Sequence, residues 1–183
     1  MGSLVSELTI GILGLGRIGK RVATILRAFE ATVIACDVQP DRAWAAGQGV
    51  AFKTREALLK ESDVLCLHVP YVPALHHLIG RREFAMMKSG SYLINTSRGG
   101  LVDEEELYRA LQSGHLAGAA LDTFEREPYT GPLRELDNVI LTPHMGSYAR
   151  AARTQMERQA VEYLVDELKR LKVLGGPVKT LEV

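Results

Sequence analysis

Three glycines in the stretch GILGLGRIGK, residues 11–20, have the spacing that cradles a phosphate: Gly14, Gly16 and Gly19 in a G-x-G-x-x-G pattern. Each is asked to do something different. The first permits a tight turn, the second lets a pyrophosphate approach the backbone, and the third lets a helix pack against the preceding strand. Backbone N–H groups at the start of that helix, at Arg17 and Ile18, then face the phosphates. A lone motif of this kind also suits a purely structural turn, so its surroundings decide. Asp37 ends the next apolar run, 18 residues after Gly19. A carboxylate there accepts both ribose hydroxyls of adenosine and repels a 2′-phosphate, so the expected cofactor is NAD rather than NADP. Arg42 lies close by in sequence and reads as a solvated loop residue.

Four other segments carry polar chemistry directly after apolar runs: HVP (68–70), NTSRGG (95–100), LDTFEREP (121–128) and TPHMGS (142–147). They offer a guanidinium, several carboxylates and imidazoles. His68, His76, His77 and His115 read as non-catalytic. His115 follows a glycine after a helix and is expected to be a solvated cap. His76 and His77 are paired in a polar loop, but with no cysteine or carboxylate beside them they argue poorly for a metal. No metal site is expected.

These segments need elements to hold them. Residues 8–13, 32–36, 63–69, 91–96, 117–122 and 138–142 are short apolar runs of strand character, and helical patterns cover 18–29, 41–48, 54–62, 81–88 and 103–114. Thr54 opens one helix, and an acidic first turn with Gly114 as a stop marks another. Strands that alternate with helices require parallel crossovers, and near-continuous apolar strands require a sheet covered on both faces. The fold class is therefore α/β, a Rossmann-type doubly wound parallel sheet. Ligands of such sheets bind outside the carboxyl ends of the strands, where the polar segments lie. A last helix spans Ala149 to Leu171, with Met156, Ala160, Val161, Leu164, Val165, Leu168 and Leu171 at three- and four-residue steps, and GGP (175–177) ends it.

Composition narrows the class. The 183 residues are 46% hydrophobic and 24% charged, with a formal net charge of zero. That balance suits a globular chain and gives no electrostatic reason to expect nucleic acid or an anionic membrane surface as partner. No apolar run approaches the ~20 residues of a membrane span, and the start lacks the basic and apolar regions of a secretory signal. Residues 1–3 read as an expression remnant. Cys36 and Cys66 each end an apolar run and are expected to be buried, reduced thiols, which fits a cytoplasmic protein.

The segments GLGRIG, INTSRGGLVDEEEL, AGAALDTFEREP and NVILTPHMGS, in this order, resemble the cofactor-binding domain of the D-isomer-specific 2-hydroxyacid dehydrogenases, and more narrowly the D-3-phosphoglycerate dehydrogenase branch. The resemblance covers nearly the whole chain, from Leu8 to Lys172. It implies that Arg98 binds the substrate carboxylate and carbonyl, that His144 is the acid/base, and that Glu127 orients it. It places Asp122 at the nicotinamide end of the cofactor, and Val69, Thr96, Ser97, Gly146 and Ser147 along the cofactor groove. It also implies a homodimer formed through this domain, and a small 2-hydroxy or 2-keto acid as substrate.

These roles make chemical sense. Oxidising a secondary alcohol needs a base for the hydroxyl proton while hydride leaves the carbon, and imidazole titrates near neutral pH. A guanidinium grips a carboxylate through two parallel hydrogen bonds. Glu125 competes with Glu127 for His144, and only the resemblance prefers Glu127. After His144 the family commonly shows a small-residue run, where this chain has GSYARAAR; Tyr148 and Arg150 alter that pattern. Family members also carry a further stretch before the glycine motif that forms most of a substrate domain. Residues 1–183 are therefore expected to be one NAD-binding domain taken from a two-domain enzyme, binding NAD(H) with little turnover alone. The alternative is a non-enzymatic NAD-sensing module of the same fold. A short-chain reductase is disfavoured, since the acid pair it needs has a lysine four residues after a tyrosine, and no tyrosine of this chain is followed so.

Overall fold

Apolar runs that cannot face water on either side assemble into a single parallel sheet. A computed structural model describes residues 2–171 and 173 of the chain. Its strands are β1 (Thr9–Leu13), β2 (Thr32–Cys36), β3 (Ala51–Phe52), β4 (Val64–Leu67), β5 (Ser91–Asn95), β6 (Leu116–Leu121) and β7 (Val139–Leu141), in the order β3-β2-β1-β4-β5-β6-β7. All pairings are parallel. Six of these strands lie where the apolar runs predict them. β3 was not expected: with two residues it has no pattern to read, and only its pairing of Ala51 and Phe52 with Ile34 and Ala35 defines it.

Helices α1 (Arg17–Ala28), α2 (Arg42–Gln48), α3 (Arg55–Glu61), α4 (Arg81–Met86) and α5 (Glu104–Gln112) connect the strands. Side-chain oxygens start three of them. Asp41 accepts from the Trp44 N–H, Thr54 from the Ala57 N–H, and Asp103 from the Glu105 and Glu106 N–H groups, each satisfying donors a helix start leaves open.

Alternation along the strands feeds the core on each face of the sheet. Ile12, Val33 and Ala35 join Ala23 and Ala45 on one face, while Leu13 and Ile34 join Leu58, Leu59 and Leu107 on the other. Leu65, Leu67 and Leu93 in the central strands are fully buried. The sheet is covered on both faces, as its apolar strands demand. From β1 the chain winds outward to β3, returns past β1 and winds outward again to β7. The reversal falls between β1 and β4. The carboxyl ends of those two strands diverge into opposite connections and open a crevice.

Cys66 on β4 is buried, and burial pushes its thiol up to about 12. Cys36 is only half-buried, because it is the last residue of β2 and meets the open end of the sheet. Both thiols are free. His115 is not a solvated cap: its Nε2 lies 2.9 Å from the Phe84 carbonyl oxygen and ties the turn before β6 to α4.

The chain divides into two compact units, Met1–His144 and Met145–Val183. The second contains α6 (Arg150–Arg170), a 21-residue helix with no buried residue. Ion pairs Arg153–Glu157 and Arg158–Glu162, one turn apart, run along it. Of its apolar stripe, Val165 and Leu168 are half-buried, whereas Met156, Val161 and Leu164 are exposed. The GGP stop at 175–177 lies outside the described residues. Among the described residues, no helix is long and apolar enough to cross a membrane.

Candidate functional site

The glycine turn is built by close approach. Gly14 has φ +97°, and a Cβ there would lie 2.7 Å from the His68 carbonyl carbon and oxygen. A Cβ on Gly19 would lie 2.2 Å from the Gly14 carbonyl oxygen. These two positions let the turn at the end of β1 press against β4 and against the start of α1. Gly16 differs: a Cβ there would meet nothing within 4 Å. Gly16 is the N-cap of α1, which has no side-chain cap. The first N–H groups of α1, at Arg17 and Ile18, therefore face space that a phosphate can fill.

Asp37, just past β2, is fastened to this turn. Its Oδ2 accepts the Leu15 N–H at 2.6 Å, and its Oδ1 accepts the Gln39 N–H at 2.8 Å. Leu15 sits between the first two glycines, so turn and carboxylate form one unit. Each carboxylate oxygen retains a second lone pair for a ribose hydroxyl.

A cleft of about 440 Å³ brings Gly16, Arg17 and Ile18 together with Val69, Thr96, Ser97 and Arg98. His68, Pro70 and Tyr71 complete its wall. Ser97 donates from Oγ to the Leu67 carbonyl oxygen at 2.6 Å. The turn that presents Arg98 is shaped by Asn95, a fully buried residue the sequence reading passed over. Its Oδ1 accepts the Ser97 N–H at 3.0 Å and its Nδ2 donates to the Arg98 carbonyl oxygen at 2.9 Å. An asparagine that ends a strand just before Thr-Ser-Arg-Gly-Gly is the recognisable signal for such a turn. The Arg98 side chain is exposed and donates to the Ser97 carbonyl oxygen at 2.7 Å. His68 is pushed below the usual histidine range by burial, and its Nε2 finds no partner among the described residues.

A second cavity, of about 530 Å³, holds Glu127 and His144. His144 Nδ1 lies 2.9 Å from Glu127 Oε2. Glu127 Oε1 accepts the Phe124 N–H at 3.1 Å. The bond from His144, and after it the Phe124 N–H, hold the Glu127 carboxyl below the usual glutamate value. Because a carboxylate only accepts, the Nδ1 that faces it carries the proton, and Nε2 is left as a lone-pair base. The imidazole sits on a residue with φ 51°, an uncommon conformation of the kind found at functional sites. Glu125 does not reach His144; its carboxylate bonds His77 Nε2 instead. Asp122 is buried and accepts from Thr142 Oγ1 at 2.5 Å. Gly146 and Ser147 belong to the second unit.

Gly99 brings cleft and cavity together. A Cβ there would lie 1.8 Å from the Phe124 carbonyl carbon and 2.2 Å from the Glu125 nitrogen. Backbone therefore touches backbone where the loop carrying Arg98 meets the loop carrying Glu127. The sequence reading missed this residue, since only the folded contact distinguishes it from Gly100.

This is a dinucleotide crevice flanked by a cation and by a carboxylate–imidazole pair, on a sheet wound in both directions from its first strand. Residues 1–146 match the family model described as "D-isomer specific 2-hydroxyacid dehydrogenase, NAD binding domain". The chain belongs to the D-isomer specific 2-hydroxyacid dehydrogenase family, and this segment is its NAD-binding domain. It is 43% identical over 159 residues to a glyoxylate reductase of Aeropyrum pernix, covering 86% of this chain and 48% of that protein. It is 41% identical over 170 residues to a D-3-phosphoglycerate dehydrogenase of Methanocaldococcus jannaschii, covering 92% of this chain and 31% of that protein. Among solved structures, the D-lactate dehydrogenase of Aquifex aeolicus complexed with NAD and lactic acid superposes with a TM-score of 0.84 at 35% identity, covering 97% of this chain and 60% of that one. The chain thus spans half or less of the length of these two curated relatives.

Proposed function

We propose that this chain is the cofactor-binding part of an NAD-dependent D-2-hydroxyacid dehydrogenase, which interconverts a 2-hydroxy acid and a 2-keto acid by hydride transfer. The observation that carries the reading is the Glu127–His144 pair, joined through the Gly99 contact to a cleft shaped for a dinucleotide. A protein that only sensed NAD would have no use for a proton acceptor held in one tautomer.

NAD⁺, when bound, supplies the hydride acceptor. The chain's own residues do the rest. The N–H groups of Arg17 and Ile18 bind the pyrophosphate over Gly16, and Asp37 takes the adenosine ribose. Val69, Thr96 and Ser97 line the path between, and Asp122 takes its nicotinamide end. Arg98 grips the substrate carboxylate, which sets the carbon that loses hydride. His144 Nε2 takes the hydroxyl proton in oxidation and returns it in reduction, while Glu127 stabilises the imidazolium that forms in between. Glyoxylate, hydroxypyruvate and larger 2-keto acids present the carboxylate and carbonyl that these groups address, and 3-phosphoglycerate presents the carboxylate and 2-hydroxyl of the reverse direction. The reading also includes a homodimer in the cytoplasm, checked by sedimentation.

Calorimetric titration with NADH and NADPH tests the proposal first. NADH is expected to bind with clearly higher affinity than NADPH, and the gap is expected to close in Asp37→Ala. Equal affinity for both cofactors, or an NADH affinity insensitive to Gly16→Val, would overturn it. The enzymatic half is tested by fusing the chain to the remaining part of the Aeropyrum pernix glyoxylate reductase. Glyoxylate reduction that collapses in His144→Ala supports the assigned acid/base, and reduction that survives the substitution rejects it.

A further inference from the structure

Beside the cofactor cleft, the loops after β4 and β6 meet at a cluster with no part in the reaction above. His76 and His77 follow the 3₁₀ turn Pro73–Leu75, and Glu125 lies in the loop after β6. In sequence the two histidines had no carboxylate near them, which argued against a metal. The fold supplies one from 48 residues away, because His77 Nε2 bonds the Glu125 carboxylate. The two imidazoles stack with centroids 3.9 Å apart and planes 24° apart. One potential ligand atom from each of His76, His77 and Glu125 lies within 4.8 Å of the others.

The surroundings orient these atoms. His77 Nδ1 faces Asp103 Oδ2 at 3.5 Å, and the Tyr71 hydroxyl faces His76 Nδ1 at 3.4 Å. On His77 the Glu125 carboxylate already faces Nε2, which makes Nε2 its ligating atom, and His76 offers one ring nitrogen beside it. A carboxylate behind a ligating histidine is the usual outer partner that fixes ring and tautomer. His77 has φ 54°, held by its N–H donating to the Gly100 carbonyl oxygen at 2.9 Å. The Glu125 N–H donates to Glu104 Oε1 at 2.8 Å, which fixes the other loop.

We propose that His76, His77 and Glu125 form a site for a divalent cation of the zinc class, bound by two imidazole nitrogens and one carboxylate oxygen, with solvent at the remaining position. Two nitrogen donors select zinc, nickel or copper over magnesium and calcium, which take oxygen donors. Three protein ligands on an exposed surface leave a tetrahedral ion its fourth position for water. The cation replaces the direct His77–Glu125 hydrogen bond and clamps the loop at 76–77 to the loop at 122–128.

The test is calorimetric titration of the whole chain, freed of metal by a chelator, with zinc chloride and separately with magnesium chloride. One equivalent of zinc is expected to bind, with no saturable magnesium heat, and zinc affinity is expected to fall at least about tenfold in His76→Ala and in Glu125→Gln. His76 and Glu125 are exposed, so neither change threatens the core, and a melt of each variant with chelator present checks this. No saturable zinc binding, or an affinity unchanged in His76→Ala, overturns the site and leaves the cluster as an ion pair alone. Zinc binding that vanishes in His144→Ala but persists in His76→Ala assigns the ion to the acid/base pair and likewise overturns it. NADH titration of the same samples is independent, so failure here leaves the cofactor reading untouched.

Discussion

At Gly16 and Gly19 the same substitution has opposite consequences. Gly16→Ala adds a methyl group to open space and should leave the melting temperature unchanged while lowering NADH affinity; Gly16→Val should lower it by at least about tenfold, as bulk displaces the pyrophosphate. Gly19→Ala drives a Cβ to 2.2 Å from the Gly14 carbonyl oxygen and should cost about 1–3 kcal/mol of stability, seen as a lowered denaturation midpoint. If Gly16→Val lowered stability and left NADH binding intact, the turn would be structural. Glu127 carries a titration prediction. Its carboxyl is held below the ordinary value by the His144 bond first and the Phe124 N–H second. A depressed carboxylate pKa stabilises the fold above the unfolded value and loses that contribution as pH falls through the folded value. The Glu127 carboxyl, followed by NMR, should titrate below 4.5 and move back toward it in His144→Ala. The glycine turn was legible because its logic is local: three residues, one strand and one helix. The choice between Glu125 and Glu127 was not, because the two carboxylates sit two residues apart on one loop and the folded path alone decides which faces His144 and which faces His77.

Elements position these residues through contacts that sequence shows unevenly. Helix starts were readable, since Thr54 and Asp103 act on donors only a few residues ahead. β3 was unreadable because it consists of two residues defined by a neighbour. The meeting of the loops after β5 and β6 was unreadable too, since Gly99 looks no different from Gly100 until Phe124 is folded against it. That contact carries its own prediction. A Cβ on Gly99 would sit 1.8 Å from backbone, and backbone cannot rotate away as a side chain can. Gly99→Ala should therefore cost about 2 kcal/mol or more, within the range of overpacked cores, and should separate Arg98 from the Glu127–His144 pair. In the fused, active enzyme it should lower kcat/KM for glyoxylate by at least about tenfold while NADH affinity changes little, because the phosphate end of the cleft is built by other strands. Equal losses in both would mean that Gly99 supports the whole crevice rather than its substrate end.

For the molecule as a whole, exposure decides what the chain can do by itself. The side chains of His144 and Glu127 are 46% and 38% exposed, and Arg98 is exposed as well. Cofactor binding needs little more than the sheet's crevice, where turn, carboxylate and helix start are already fixed to one another. Hydride transfer needs more. Substrate must be held in one orientation and water kept from the imidazole and guanidinium, and positioning of this kind is worth about 7–11 kcal/mol in well-aligned intramolecular reactions. The chain spans 48% of the Aeropyrum pernix glyoxylate reductase it matches, and the proposed function assigns that positioning to the remainder of such an enzyme. The chain should therefore bind NADH yet oxidise it with glyoxylate at least about a thousandfold more slowly than the fused enzyme, a loss of roughly 4 kcal/mol from the missing orientation alone. Parallel steady-state assays on chain and fusion, at saturating NADH, measure the ratio. A chain that turned over within tenfold of the fusion would show that Arg98, Glu127 and His144 orient substrate without a second wall, and would make this unit catalytically self-sufficient.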